Sequence, residues 1–159
     1  MSPVKLDEID RRILGHLQEN ARLSNTRLAA LVGLSPAPCL RRVRALEESG
    51  AIRKYVTLLD PATVGGQVTV FVSIRLNLQV EDRLEIMEAA VKDWPEVLEC
   101  QLITGDADFL LRVVVPDVQA YERFLRESLT RVECVAGIRS SFALRQVKYS
   151  TALPIKLER

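Results

Sequence analysis

The spacing of the apolar residues changes near residue 60, and this change limits the folds open to the chain. Before it, apolar residues recur every three or four positions with charges between them, which is the pattern of amphipathic helices. After it, Val68 to Leu76 has an apolar residue at every second position, as in a strand that buries one face. The turn-rich stretch Pro61 to Gln67 lies between the two patterns. The sequence therefore predicts two domains, residues 1–60 and residues 61–159.

The apolar pattern of the first domain predicts three helices with recognisable ends. Ser24 can cap the short second helix, and Gly33 ends it because glycine accepts a positive φ. Ser35 can cap the third helix, with Pro36 at the first helical position, where its missing N–H costs nothing. Gly50 then provides a C-terminal stop. Two helices joined by a short turn that contains glycine form a helix-turn-helix arrangement.

The third predicted helix has two contrasting sides. On a helical wheel, the side that faces the core carries Leu40, Val43, Leu46 and Glu47. The opposite side carries small residues and arginines, namely Ala37, Pro38, Arg41 and Ala45, with Arg42 and Arg44 beside them. Short side chains let a helix approach a DNA groove closely, and arginine reaches phosphates and guanine edges. We therefore expect this helix to bind DNA, and an ordinary solvated face with surface arginines is the alternative.

The charge distribution agrees with a DNA-binding first domain. The whole chain has 22 Lys and Arg against 21 Asp and Glu, so its net charge of +1 points to no partner. Through Asp60 the chain has 10 basic and 7 acidic residues, net +3, which leaves 12 and 14, net −2, for the rest. Arg53 and Lys54 lie in the segment Ala51 to Asp60, which we expect to form a short wing or linker strand that contacts phosphate. The first domain is thus expected to resemble a winged helix.

The second domain predicts the element order βαββαβ. The predicted strands are Val68 to Leu76, Val97 to Thr104, Phe109 to Val115 and Ile138 to Tyr149, and the predicted helices are Glu81 to Lys92 and the segment from its cap Asp117 through Leu129. This order is the ferredoxin-like arrangement with both helices on one sheet face, so the fold class is α+β. The other face needs cover, because Phe71, Phe142 and Leu144 would form a large exposed apolar patch. A sheet-to-sheet homodimer is the expected cover.

Cysteine and histidine usage excludes several classes of site. Cys39, Cys100 and Cys134 are an odd number of cysteines with no CxxC pair, and His16 is the single histidine. Neither a disulfide framework nor a zinc site has its parts, and a Cys–His catalytic pair has no supporting signature. The charged residues near the start leave no apolar core for a secretory signal, and no apolar run is long enough to span a membrane. We expect a prokaryotic cytoplasmic protein without a metal or cofactor.

Two motif blocks together resemble one family. The run LSPAPCLRRVRALEESGAIR, Leu34 to Arg53, is followed by LLDP and later by ITGDADFLLRV, Ile103 to Val113. With the βαββαβ order, the chain from Leu6 to Pro154 is similar to the leucine-responsive regulatory protein and asparagine-regulator family, Lrp/AsnC. The resemblance implies a feast-or-famine transcriptional regulator whose helix-turn-helix binds DNA. It also implies a C-terminal domain that forms dimers, often octamers, and senses an amino acid.

The resemblance assigns site residues by position. The DNA-binding set is Ser35, Pro36, Ala37, Pro38, Cys39, Arg41, Arg42 and Arg44, with Asn25 of the preceding helix touching the DNA backbone. The effector site is implied where dimers meet, at Leu102, Thr104, Gly105, Asp106 and Asp108, with Ser140, Ser141 and Phe142 as weaker candidates. The tail, Ser140 to Ile155, resembles family branches tied to branched-chain or sulfur-containing amino acids. The expected effector is therefore leucine, another branched-chain or a sulfur-containing amino acid.

The chemistry of an amino acid supports the turn as its site. The ammonium needs carboxylates or carbonyls and the carboxylate needs N–H groups, and a Gly-Asp-x-Asp turn offers both. The alternative is that Asp106 and Asp108 only shape a hairpin turn, which aspartate does well. Ala107 stands where family members often carry an aromatic or bulky residue, so we expect a more open pocket wall.

Two other functions stay open at this point. Ferredoxin-like folds host many enzymes, although the sequence lacks paired carboxylates with a histidine, a metal cluster and a phosphate-binding glycine loop. The helix-turn-helix could also serve protein contacts in a ligand-sensing scaffold. We expect the protein to be a nucleoid-associated DNA-binding regulator with a roughly palindromic operator. We do not expect it to be an enzyme.

Overall fold

The computed structural model describes residues 5–155, which divide into two compact units. The first unit runs through Leu58 and takes up the chain again from Lys148, and the second runs from Leu59 to Val147. The sequence placed the division after residue 60 and gave the whole C-terminal tail to the second domain. The structure differs for the tail, because its residues contact the first unit.

The tail joins the first unit through a pair of hydrogen bonds to Gln18. The Gln18 Nε2 donates to the Leu153 carbonyl at 3.1 Å, and the Leu153 N–H donates to Gln18 Oε1 at 2.6 Å. The side-chain amide thus gives both polar groups of one tail residue a partner. A single glutamine on a helix face is not a pattern, so this docking could not be predicted.

The first unit consists of three helices: α1 (Glu8–Glu19), α2 (Asn25–Val32) and α3 (Pro36–Glu48). The predicted cap of α2 is confirmed, since the Arg27 N–H donates to the Ser24 hydroxyl at 3.3 Å. Gly33 ends this helix with φ 74°, a left-handed conformation that favours glycine. The core comprises Ile13, Leu28, Ala29, Val32, Cys39 and Leu46.

The segment that follows α3 contains no strand. Residues 53–60 have no regular secondary structure, and every strand of the described residues belongs to the sheet of the second unit. The strand predicted in this segment is therefore not formed, because an extended segment needs a hydrogen-bonded partner to form one. The Tyr55 hydroxyl instead donates to Glu47 at 2.8 Å, which ties the segment to the end of α3.

The second unit confirms the predicted order βαββαβ. Its elements are β1 (Val68–Leu76), α4 (Glu81–Lys92), β2 (Val97–Leu102), β3 (Phe109–Val115), α5 (Val118–Glu127) and β4 (Val135–Phe142). The four strands are antiparallel to their neighbours in the order β2-β3-β1-β4. The predicted cap of α5 is also confirmed, because the Ala120 N–H donates to Asp117 Oδ1 at 2.7 Å.

One face of this sheet packs against both helices. The buried residues of β1 are Val70, Val72, Ile74 and Leu76, and they form one core with Met87 of α4 and Tyr121 and Phe124 of α5. The odd-numbered residues of β1, which include Phe71 and Arg75, lie on the opposite, open face of the sheet. The pattern of the sequence predicted this division of β1 correctly.

The last strand begins earlier and ends earlier than predicted. It covers Val135–Phe142, whereas the sequence predicted Ile138 to Tyr149. Beyond Phe142, the Ala143 N–H still donates to the Thr69 carbonyl at 2.9 Å, close to the start of β1. Past that point β1 offers no further residues to pair with, so the strand ends although the apolar pattern continues.

The register also corrects the expected apolar patch. Phe142 pairs with Val70, so it lies on the helix face, where its ring stands edge-on to Tyr121 with centroids 5.3 Å apart. Leu144 follows the strand and is 99% exposed. Phe71 is thus the one member of the predicted patch that lies on the open face of the sheet. Among residues 5–155, no helix is both long and apolar enough to cross a membrane.

Candidate DNA interface and effector site

The inner side of α3 is centred on a cysteine. Cys39 and Leu46 are buried and Val43 is half-buried, whereas Leu40 is 39% exposed. The predicted inward placement is confirmed for Val43 and Leu46 and wrong for Leu40 and for the exposed Glu47. The helical wheel did not count Cys39 among the core residues. Because this cysteine packs as a small apolar residue, the buried side of α3 is centred near Cys39 and Leu46, and Leu40 lies at its edge.

Cys39 is consequently excluded from DNA contact. Its side chain has no exposed surface, and burial raises the pKa of its thiol. The neighbouring Pro38 is half-buried. The other short residues at the start of α3, Ser35, Pro36 and Ala37, are exposed, and the Ser35 hydroxyl makes no capping hydrogen bond.

Arg42 is held by the first helix rather than presented outward. Its Nη1 lies 2.6 Å from Asp7 Oδ2 and 2.8 Å from Asp10 Oδ1. The two aspartates also form a capping box, since each carboxylate accepts from the backbone N–H of the other residue. The Asp10 N–H first, and then Arg42, hold the pKa of Asp7 below its usual value. Arg42 thus ties α3 to α1, and its expected DNA contact stays a prediction.

Asn25 also holds α3 in place. Its Nδ2 donates to the Pro36 carbonyl at 2.7 Å, which joins the start of α2 to the start of α3. Its Oδ1 is buried without a hydrogen-bond partner in the described structure. The structure thus gives Asn25 a positioning role for α3, and its expected contact with the DNA backbone stays a prediction.

Arg41 and Arg44 are the arginines that α3 exposes. They share the outer face with Ala37, Leu40 and Ala45, and within residues 5–155 no ion pair involves either guanidinium. Unpaired arginines beside short side chains can approach phosphates and guanine edges. Of the DNA-binding residues predicted on the sequence, the exposed ones are Ser35, Pro36, Ala37, Arg41 and Arg44.

The second unit contains an open cleft of about 360 Å³ beside the β2–β3 turn. Its lining comprises Ser73, Arg75, Ile103, Asp106, Ala107, Gly137, Ile138 and Arg139. The cleft is thus lined by both positive and negative side chains and by apolar residues. Two arginines and one aspartate match the carboxylate and the ammonium of an amino acid, and two isoleucines and an alanine match an apolar side chain.

Asp106 is the one predicted effector residue that lines this cleft. The sequence did not single out Arg75 and Arg139, which lie on neighbouring strands near the turn. The strand pattern contains the signal in part, because Ser73 pairs with Arg139 and so places it on the open face with Arg75. That register could not be known before the sheet was seen.

Asp108 has a structural task instead. It is 4% exposed, its Oδ2 accepts from the Leu76 N–H at 2.7 Å, and its Oδ1 accepts from Gln79 Nε2. Its own N–H donates to the Ile74 carbonyl at 2.8 Å. Both carboxylate oxygens are therefore engaged in closing the end of β1, which corresponds to the turn-shaping alternative.

The other effector candidates lie apart from the cleft lining. Ser140 is on the helix face, hydrogen-bonded to the Tyr121 hydroxyl, and the ring of Phe142 stands edge-on to the same tyrosine. Ser141 pairs with Phe71 on the open face. Leu102, Thr104 and Gly105 are exposed around the turn, where Gly105 has φ 118°. In residues 5–155, no cluster of three or more His, Cys, Asp or Glu side chains could hold a metal ion.

Replacing Arg42 with methionine should lower stability in a pH-dependent manner. We expect a loss of about 0.5–1 kcal/mol at pH 7, since these carboxylates are partly exposed. Because the folded-state pKa of Asp7 is depressed, the stabilisation is present above its unfolded-state pKa of 3.8 and disappears as the pH falls through the lower, folded-state value. Urea unfolding between pH 7 and pH 2 measures the difference. Arg41→Met is the matched control, and a gap that stays constant down to pH 2 contradicts the tie.

Replacing Asp108 with alanine should destabilise the second unit whether or not an effector is present. The Leu76 N–H and the Gln79 amide lose their acceptor, which costs about 1–3 kcal/mol. Asp106→Ala, at an exposed position of the same turn, should change stability by less than about 0.5 kcal/mol. Thermal and urea unfolding of the two variants decide the matter. Equal stability of both would show that Asp108 is not the residue that holds the turn.

Comparisons with known proteins match both units. A family model described as "Lrp/AsnC ligand binding domain" matches residues 69–153. A second model, described as "Winged helix-turn-helix DNA-binding", matches residues 6–53. The first match covers the sheet of the second unit and also the tail residues 148–153, and the second match covers the three helices of the first unit.

Whole proteins match over nearly their full length. The leucine-responsive regulatory protein of Salmonella typhimurium is 46% identical over 151 residues, which are 95% of this chain and 92% of that protein. A transcriptional regulator of Neisseria meningitidis, solved in complex with L-Met, is 40% identical with a TM-score of 0.89, covering 94% of this chain and 97% of that one. An AsnC family regulator from Agrobacterium tumefaciens is 46% identical at the same TM-score and the same coverage.

The fold, the exposed arginines of α3 and these matches define a DNA-binding transcriptional regulator with an amino-acid ligand-binding domain. The chain belongs to the Lrp/AsnC family. Its relatives are transcription regulators and not enzymes, which decides against the enzyme alternative.

Proposed function

We propose that the exposed face of α3 enters the DNA major groove and reads an operator, under the control of an amino acid bound in the cleft of the second unit. The observation that carries this proposal is the division of the α3 arginines. Arg42 is used inside the fold, whereas Arg41 and Arg44 stand exposed beside Ala37. A face that combines free guanidinium groups with short side chains suits a groove.

The cleft supports the amino-acid part of the proposal. Arg75 and Arg139 would bind the α-carboxylate, and Asp106 would bind the ammonium. The apolar wall of Ile103 and Ala107 would then face the side chain of the ligand. Of the two aspartates predicted for the effector, this proposal keeps Asp106 and leaves out Asp108.

The apolar lining of the cleft also supports a choice of effector. An apolar lining favours leucine, another branched-chain or a sulfur-containing amino acid over charged ones. Two relatives support this choice, one named as leucine-responsive and one solved in complex with L-Met. We propose no further cofactor.

The proposed assembly is a homodimer, with octamers as the larger form and effector bound where dimers meet. The resemblance to the family supports it, and so does the open face of the sheet, which no helix of the second unit covers. A two-fold dimer would bind a roughly palindromic operator with half-sites separated by multiples of one DNA turn, about 10 bp. We propose the cytoplasm and the nucleoid as its location.

Arg41→Ala should weaken operator binding while Arg42→Met mainly changes stability. We expect about tenfold lower affinity and a salt dependence of binding that is shallower by about one released counterion per lost phosphate contact. Titrations of a labelled operator at several salt concentrations measure both quantities. Arg123→Ala on α5 is the control for a surface arginine in the second unit. Unchanged affinity of Arg41→Ala would remove α3 from the interface.

A thermal-shift screen against the twenty amino acids should identify the effector. A ligand at about 100 times its dissociation constant adds roughly 2.7 kcal/mol of stability. Asp106→Ala and Arg139→Ala should each abolish the shift, because each removes one of the charges that face the ligand. Arg123→Ala should keep it. A shift that survives in both cleft variants would place the effector elsewhere.

A further inference from the structure

Leu40 occupies an unusual place for a large apolar side chain. It is 39% exposed, and the core of the first unit takes Cys39, Val43 and Leu46 from α3 while it leaves Leu40 outside. Many of the other exposed large apolar residues lie in the segments around residues 55–64 and 144–153. Exposed leucines are common on protein surfaces, so the exposure alone indicates nothing. The residues that surround Leu40 on the helix surface indicate what this exposed side chain can contact.

Leu40 lies at the edge of the proposed DNA-binding face, on the side of that face next to the half-buried Val43. It follows Pro36 and Ala37 by four and three residues and precedes Arg44 by four, so all three are its neighbours on the helix surface. Recognition helices contact base edges mainly through their N-terminal residues. Because Pro36 and Ala37 are short, the side chain of Leu40 reaches farther from the helix axis than either of them.

The major groove offers one apolar group to such a side chain. Thymine presents its C5-methyl there, whereas the other bases present hydrogen-bond donors and acceptors at their edges. A leucine can neither donate nor accept, so it would leave those polar groups without partners after water is displaced. Leucine in a groove therefore favours a thymine over every other base at the position that it covers.

We propose that Leu40 is a specificity-determining residue that contacts the C5-methyl group of a thymine in each half-site. This proposal rests on the proposed binding of the operator by α3. Arg41 and Arg44, which both lie on the outer side of Leu40, supply the polar contacts. The selectivity at this base pair then comes from an apolar contact and is independent of salt, unlike the affinity that the arginines provide.

The test removes the methyl group alone. The operator is first selected from random duplexes with the full-length wild-type protein, and each thymine of a half-site is then replaced in turn by deoxyuridine. At one thymine per half-site, we expect this replacement to lower the affinity of the wild type about fourfold, as for one buried methyl group. Leu40→Ala should bind the thymine and deoxyuridine operators equally, and Leu40→Met should retain part of the difference.

Matched controls separate this contact from general effects. Leu40→Ala should lower the melting temperature by only a few degrees, because the side chain is not part of the core. Val118→Ala, at another exposed apolar position, should keep the full response to deoxyuridine. The proposal is overturned if no deoxyuridine weakens wild-type binding, or if Leu40→Ala still responds at the same thymine. A wild-type protein that selects no operator at all overturns operator binding itself, a result that is distinct from selective binding without methyl dependence.

Discussion

The ion pairs of Arg42 with Asp7 and Asp10 help to fix how the proposed DNA-binding face of α3 is presented. They join the middle of α3 to the N-terminus of α1, where the two carboxylates also cap the helix. Because the Arg42 Nη1 contacts both carboxylates of α1, the pair favours the rotation of α3 that turns this side chain inward, and the buried Cys39 and Leu46 favour the same rotation. With Arg42 turned inward, the helical period directs Arg41 and Arg44 outward. The contact thus supports the orientation of the exposed face.

Local signals in the sequence were sufficient for most of the fold. Ser24, Gly33 and Asp117 mark helix ends through interactions with near neighbours in the chain, so their roles follow from residue type. The two-residue period of β1 likewise identifies its buried face. The predictions were wrong where a residue distant in the chain determines the structure. The end of β4 depends on where β1 begins, and the placement of the tail depends on its hydrogen bonds with Gln18.

The candidate sites were less predictable for the same reason. Asp106 and Asp108 are alike in sequence and two positions apart, yet one lines the cleft and the other is buried against the end of β1. Their difference depends on the Leu76 N–H and on Gln79, which lie about thirty residues earlier in the chain. Arg139 reaches the cleft only through its pairing with Ser73. Composition names the chemistry that a turn can offer, and the sheet register decides which residue supplies it.

The arginines of the first unit show why net charge is a poor guide to nucleic-acid binding here. Arg42 is paired, and the Nη2 of Arg12 donates to the Leu31 carbonyl at 2.9 Å near the end of α2, so two guanidinium groups serve the fold. Those of Arg41 and Arg44 lie on one exposed helix face. Counterion release depends on the charges that touch phosphates and not on the total for the chain. A nearly neutral protein can therefore bind DNA strongly when some of its arginines are paired within the fold and the others are grouped on one exposed surface.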